Sequence, residues 1–252
     1  MSYQQFAYLY DELMKDAPYD GWVQFVKDRC VKYNVTGARL LDLACGTGEL
    51  SVRLAQEGFQ VTGVDLSEDM LAVAQSKAED VGVRIPFFQQ NMADLVGQED
   101  FDVIGCFCDS LNYLQTEEEV IATFSNIFEH LTDEGIFIFD VHSIYKISHL
   151  FINQTFASSE DQVSYIWNSF PGESPNSVEH ELSFFVLEER TGKYDRFDEL
   201  HFQRTYSVQQ YSNWLTEAGF EVLEVCADFE NSEPLSQSER IFFIARKIEK
   251  AI

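Results

Sequence analysis

Two glycines and three carboxylates lie close together near the start of the chain: Leu40-Leu-Asp-Leu-Ala-Cys-Gly-Thr-Gly-Glu-Leu50, followed by Asp65. An apolar run holding Asp42 turns through Gly46 and Gly48 and passes at once into a helical pattern. Glycine in such a turn removes the Cβ that would keep a ligand off the backbone. Gly-x-Gly alone marks no more than a tight strand-to-helix turn. Asp65 closes the next apolar run 19 residues after Gly46, the spacing at which a carboxylate can accept both hydroxyls of a ribose. The two features together predict a nucleoside-type ligand.

Charge narrows the choice of ligand. A pyrophosphate needs a helix N-terminus clear of acids, usually with a third glycine. Here Ser51 stands at the third position, Glu49 at the helix start and Asp42 at the strand end. Acids there repel paired phosphates, whereas S-adenosylmethionine brings a cationic sulfonium and an ammonium. The expected cofactor is therefore S-adenosylmethionine. An NAD-dependent dehydrogenase, which shares the glycines and the ribose acid, is one alternative. A cofactor-binding regulatory protein without turnover is the other.

Methyl transfer from a sulfonium is an in-line displacement that needs alignment and dryness first, and a general base only when the nucleophile must lose a proton. Glu199-Leu-His201-Phe-Gln203 places three polar side chains on one strand face. His201 is the leading base candidate, with Glu199 beside it and His142, two residues past Asp140, as runner-up. Tyr113, Tyr165 and Trp167 form a substrate wall suited to an amine through ring-face attraction, or else ordinary core. His130, His149 and His180 read as helix, loop and surface residues. Asp109 and Asp140 follow adjacent strands, but Val141 stands where a second oxygen ligand belongs, so no metal is expected. The five cysteines are odd in number and scattered, hence reduced thiols. Cys106 and Cys108 are expected on one strand face, without zinc-knuckle spacing.

The elements that position these residues alternate. Strand patterns at 38–44, 60–64, 85–90, 101–107 and 135–141 are separated by helical ones, which means a mostly parallel sheet. Thr116-Glu-Glu-Glu119 has capping-box spacing ahead of Val120, Ile121, Phe124, Ile127, Phe128 and Leu131. Ser67 caps a helix through Met70, Leu71 and Ala74, and Gly58 ends the one holding Val52, Leu54 and Ala55. Ser207-Val-Gln-Gln210 and Gly219 bracket another helix, with strands at 221–227 and 240–246 after it. Between them, 142–206 breaks the alternation with strands at 163–168, 177–188 and 193–206, the last two joined at Thr191-Gly192. The reading is an α/β, Rossmann-like fold over 1–252: a mostly parallel sheet with helices on both faces, and a β-rich insertion at 142–206 after the fifth strand. That insertion leaves the carboxyl edge of the sheet, where ligands bind, and is expected to wall the substrate site.

Composition limits the partners. Of 252 residues 45% are apolar and 24% charged, with 17 basic against 43 acidic side chains, a net charge of −26. Polyanions bind through lysine and arginine, so nucleic acid and anionic membranes are disfavoured and a small-molecule substrate is favoured. No apolar run approaches the roughly 18 residues of a membrane span. The start, MSYQQFAYLYDELMKD, has no signal-peptide pattern; a cytoplasmic protein is expected. The oligomeric state stays open.

Leu-Asp-Leu-Ala-Cys-Gly-Thr-Gly-Glu-Leu, Gly-Val-Asp65-Leu-Ser-Glu-Asp-Met70-Leu, Phe101-Asp-Val-Ile and Leu131-Thr-Asp-Glu-Gly-Ile-Phe together resemble the class I S-adenosylmethionine-dependent methyltransferases over nearly the whole chain. Phe6-Ala-Tyr-Leu-Tyr-Asp-Glu-Leu-Met14, Asp109-Ser-Leu-Asn-Tyr113 and Phe139-Asp-Val-His142 are similar to a bacterial YqeM-like subgroup. The resemblance implies that Ala44, Gly46 and Gly48 line the methionine and ribose, that Asp65 holds the ribose, and that Leu66 and Met70 border the adenine. Asn91-Met92 stands where the family often has an acid for the adenine amino group; Asn91 can still accept through its carbonyl oxygen and Met92 can offer its N–H. A carbonyl near Cys106 or Phe107 would receive the cofactor ammonium. Tyr3, Phe6, Tyr8 and Tyr10 pack as a helix face or, as the resemblance implies, close over the cofactor, with Tyr10 the residue of choice and Asp11 capping or solvated.

Overall fold

The computed structural model describes residues 9–97 and 100–248. Helix α1 (Tyr19–Lys32) precedes five parallel strands: β1 (Arg39–Leu43), β2 (Gln60–Asp65), β3 (Phe87–Gln89), β4 (Phe101–Cys106) and β5 (Leu131–His142). Helices α2 (Glu49–Gln56), α3 (Glu68–Asp80) and α4 (Glu117–His130) run between them. A separate antiparallel sheet follows, with β6 (Thr155–Ser159), β7 (Val163–Pro171), β8 (Ser177–Glu188) and β9 (Lys193–Arg204) paired in chain order. The chain returns through α5 (Val208–Ala218) to β10 (Phe220–Ala227) and β11 (Arg240–Lys247). The main sheet is ordered β10-β11-β5-β4-β1-β2-β3, with β11 antiparallel to both neighbours.

Local chemistry sets the helix ends. Thr116 and Ser207 form complete capping boxes with Glu119 and Gln210, each satisfying two backbone N–H groups that the first turn leaves open. Ser67 accepts the Met70 N–H at the start of α3. Gly58 and Gly219 sit at φ +99° and +106° just past α2 and α5. Burial then follows from strand alternation. Leu41, Phe137, Phe139 and Phe243 pack against α4 and α5 on one face, while Leu40, Ile136, Ile138 and Phe242 pack against α1, α2 and α3 on the other.

Four details differ from the sequence expectation. Helix α1, unforeseen, buries Tyr19, Trp22, Val23, Phe25, Val26 and Cys30 at helical spacing behind Pro18. Strand β6 is short and mostly polar, and it pairs only along one edge, so it carries little apolar signal. Strand β3 contracts to three residues because Pro86 just ahead of it has no N–H for a ladder. Strand β4 stops at Cys106, and Cys108 takes φ +54°, so the two thiols do not share a strand face.

The carboxyl ends of β1, β2, β4 and β5 lie along one edge of the main sheet. Strand order reverses between β1 and β4. Loops 44–48 and 107–110 therefore leave in opposite senses and open a crevice at the switch point.

Candidate active site

That crevice is a cleft of about 360 Å³ whose lining includes Tyr10, Asp42, Ala44, Gly46, Glu49 and Phe107. The loop beneath it alternates left-handed residues, Ala44 at φ +59°, Gly46 at +55° and Gly48 at +72°. A Cβ on Gly46 would meet no protein atom within 4 Å, so the room beside it is open for a ligand. Gly48 answers a different need. A Cβ there would stand 2.6 Å from the Ala74 Cβ, so this glycine lets α2 and α3 approach.

Asp65 ends β2 with one oxygen accepting the Gly46 N–H and the other the Ser67 N–H, both at 2.8 Å. Each carboxylate oxygen keeps a second lone pair. Burial raises its pKa above the ordinary carboxylate range, and the two N–H groups oppose that shift. Asp42 lies in the cleft floor, takes a hydrogen bond from Ser51 Oγ, and is pushed up to a pKa of about 7 by burial. Glu49 reaches the cleft but is paired with Arg53 at 2.8 Å and Lys77 at 3.1 Å. The expected field of two free carboxylates is thus corrected: one acid is half protonated near neutrality and the other is neutralised by Arg53 and Lys77.

Residues 9–13 are helical, and Tyr10 among them lines the cleft. The Tyr10 phenol lies among Cys108, Tyr19, Tyr113 and Asp109, and burial pushes its pKa well above the ordinary phenol value. Asp11 is partly buried and paired rather than a cap. It accepts the Thr47 hydroxyl at 2.6 Å and pairs with Lys77 at 2.8 Å, tying this turn to the glycine loop. Tyr3, Phe6 and Tyr8 lie outside the described residues. Leu66 is exposed beside the loop, and Met70 packs with Leu9, Leu182 and Phe184. Asn91 is exposed, its Oδ1 closing a turn on the Ala93 N–H, and Met92 packs against the main core. Cys106 is sealed within β4 and does not line the cleft, whereas Phe107 does. The Phe107 carbonyl accepts the Ser110 hydroxyl at 2.7 Å. Tyr19, Thr47, Cys108 and Ser110 also line the cleft and carry no distinctive sequence signal.

The second sheet turns Phe197, Glu199, His201 and Gln203 of β9 inward. His201 Nδ1 lies 3.3 Å from the Tyr113 hydroxyl, and burial lowers its pKa. Tyr113 is half exposed, while Tyr165 and Trp167 pack around Leu182 and Phe184. His180, expected at the surface, is buried because its partners come from the strands on either side, β7 and β9. The Trp167 indole donates to its Nδ1 at 2.9 Å, with Ser169 Oγ 2.8 Å from the same atom. The proton therefore sits on Nε2, which faces Gln203 Oε1 at 3.3 Å. Burial holds His180 down to a pKa of about 4.

Gln203 continues the chain of bonds by donating to Asp109 at 2.9 Å. Asp109 also meets His142 Nε2 at 3.1 Å and Arg240 at 2.9 Å. Although burial raises a carboxyl, His142 and Arg240 hold Asp109 well below the usual range. His142 itself is buried against Phe151, and its pKa is lowered by that burial. Asp140 accepts the Trp22 indole, the Cys108 and Asp109 N–H groups and Arg240. Asp109 and Asp140 are therefore engaged within the protein. No cluster of metal-ligating side chains occurs among the described residues.

Comparison with known proteins agrees with this geometry. Residues 40–135 match a family described as a methyltransferase domain. A relative from Geobacillus sp. (strain WCH70) is 57% identical over 98% of this chain and 100% of its own. "Putative methyltransferase YqeM" of Bacillus subtilis (strain 168) is 49% identical, covering 98% of each chain. The chain belongs to the YqeM-like methyltransferases. A crystal structure of an S-adenosylmethionine-dependent methyltransferase from Clostridium acetobutylicum ATCC 824 superposes with TM-score 0.89 at 32% identity, over 98% of this chain and 99% of that one.

The cofactor of this methyltransferase is S-adenosylmethionine, and the site fits it. Asp65 retains an acceptor position on each oxygen for a ribose diol, and the space beside Gly46 is clear of protein. Asp42 offers a buried acid able to ionise beside a cation. The dehydrogenase alternative falls with the family assignment.

Proposed function

We propose that this methyltransferase transfers its methyl group to a nucleophilic nitrogen or oxygen of a small molecule, with residues 142–206 as the substrate cap. The observation that carries the reading is the inward face of β9. Glu199 and His201 stand there together, and His201 is joined through Tyr113 to the short helix Ser110–Tyr113 whose first residue lines the cleft. The net charge of −26 argues against a polyanionic acceptor.

When bound, the cofactor supplies an electrophilic methyl carbon on a sulfonium. The protein's part is to orient and to dry the site. Asp65 holds the ribose, Tyr10 covers the cleft, and the Asp11 contacts keep that cover in place. His201 is neutral at pH 7 because burial disfavours the imidazolium, so it can take a proton from the acceptor atom. His142 is a poorer base, since Asp109 and Phe151 enclose it; its role is to hold the 107–110 segment.

The test is mass spectrometry of a fractionated bacterial small-molecule extract incubated with the protein and methyl-labelled S-adenosylmethionine. Label is expected in a low-molecular-weight product, with His201→Gln slowing its formation by about 100-fold or more. Label found only in RNA or protein would overturn the reading.

A further inference from the structure

We propose that Glu199 is the counter-ion of a cationic nitrogen on the acceptor, which makes the substrate an amine. The inference deepens the small-molecule reading above and rests on it. Glu199 lies on the inner face of β9, half buried. Among the described residues it has neither a hydrogen bond nor an ion pair. The cations nearest along β9 are committed elsewhere: Arg196 to Asp198 on the outer face, and Arg204 to the Gln115 carbonyl. An ionised carboxylate lowered further from water beneath a neutral substrate loses hydration without compensation. An ammonium restores the balance.

The surroundings suit such a group. Phe197 and His201 flank Glu199 along the strand, and Leu182 stands opposite. Phe197 packs in the cluster of Leu182 and Phe184 that also gathers Tyr10, Met70 and Tyr165, while His201 meets the Tyr113 ring at 5.9 Å. Glu199 is therefore bracketed by Phe197, which shares a cluster with the cleft residue Tyr10, and by His201, which meets Tyr113 at the end of the short helix whose Ser110 lines the cleft. Aromatic faces attract alkylammonium groups and add little for alcohols or carboxylates. The acidic molecule as a whole steers cations inward.

Binding, measured separately from turnover, tests this. Benzylamine and its isostere benzyl alcohol are titrated calorimetrically into protein saturated with S-adenosylhomocysteine. Benzylammonium is expected to bind at least tenfold more tightly than the alcohol, and Glu199→Gln to remove that preference. Asp198→Asn, on the opposite strand face, should leave it intact, and a normal melting transition for both variants controls for folding. Equal affinity for the two probes, no binding of either, or a preference that survives Glu199→Gln would overturn the proposal. Methyl transfer to alcohols with an unaltered small-molecule reading would refute this inference alone, whereas absence of any low-molecular-weight product would refute the reading beneath it.

Discussion

Asp65 uses one lone pair on each oxygen to fasten the Gly46 and Ser67 backbone, which leaves a second pair on each for the ribose diol of the proposed site. Two charge-assisted bonds at about 1.5 kcal/mol each predict that Asp65→Ala weakens S-adenosylmethionine binding by roughly 100-fold, measured by calorimetry. Asp42 predicts a pH effect. Burial pushes its carboxyl up to a pKa of about 7 from the ordinary 3.8. Between those values the folded chain keeps a proton that the unfolded chain has released, so this residue's contribution to stability is complete below pH 4 and is lost as pH rises through 7. Asp42→Asn should therefore lose less melting temperature than wild type between pH 5 and pH 8. A cation bound nearby favours the ionised form, so wild-type affinity for S-adenosylmethionine should rise across pH 7 while that of Asp42→Asn stays flatter. At this scale the glycines and Asp65 were legible, because strand, turn and acid lie within one short stretch. The state of Glu49 was not, since Lys77 reaches it from another helix. His180 misled for the same reason: its partners Trp167, Ser169 and Gln203 meet only through strand register.

Elements whose ends depend on neighbouring residues were readable in advance. The capping boxes at Thr116 and Ser207 and the terminating glycines Gly58 and Gly219 are local chemistry, and the structure has each in place. Thr116→Ala should cost about 1 kcal/mol, a fall of about 3 °C in the melting temperature of a chain this long. The segment 107–110 behaves differently. Cys108 and Asp109 both take φ +54°, a conformation unfavourable to side-chain-bearing residues, and Asp140 binds both of their N–H groups. Removing that acceptor leaves Arg240 and the Trp22 indole without their buried carboxylate. Asp140→Ala is expected to destabilise the fold by about 3–5 kcal/mol in urea unfolding. The Asp11–Lys77 pair is partly exposed, so Asp11→Asn should change stability by less than about 1 kcal/mol. It should nevertheless speed cofactor release, read by stopped-flow. Helix α1 and strand β6 escaped the sequence because one follows a polar, aromatic-rich entry and the other has no apolar face of its own.

The two sheets divide the labour of the molecule. The parallel sheet presents its carboxyl edge, where β1 and β4 part, and the antiparallel sheet, leaving from β5, turns its inner polar residues toward the same region. The alternation of strand and helix patterns made the first legible, and its interruption at 142–206 announced the second. What the sequence could not supply was the link between them, a line of bonds from Trp167 through His180, Gln203 and Asp109 to Arg240 and Asp140. That link makes the second sheet and the 107–110 segment one mechanical unit. A crystal structure with S-adenosylhomocysteine bound tests this most directly. The ribose hydroxyls should rest on Asp65, with Tyr10 over the ligand and the sulfur turned toward Glu199 and His201. A ligand seated outside the cleft between the β1 and β4 loops, or a sulfur facing away from β9, would contradict the account.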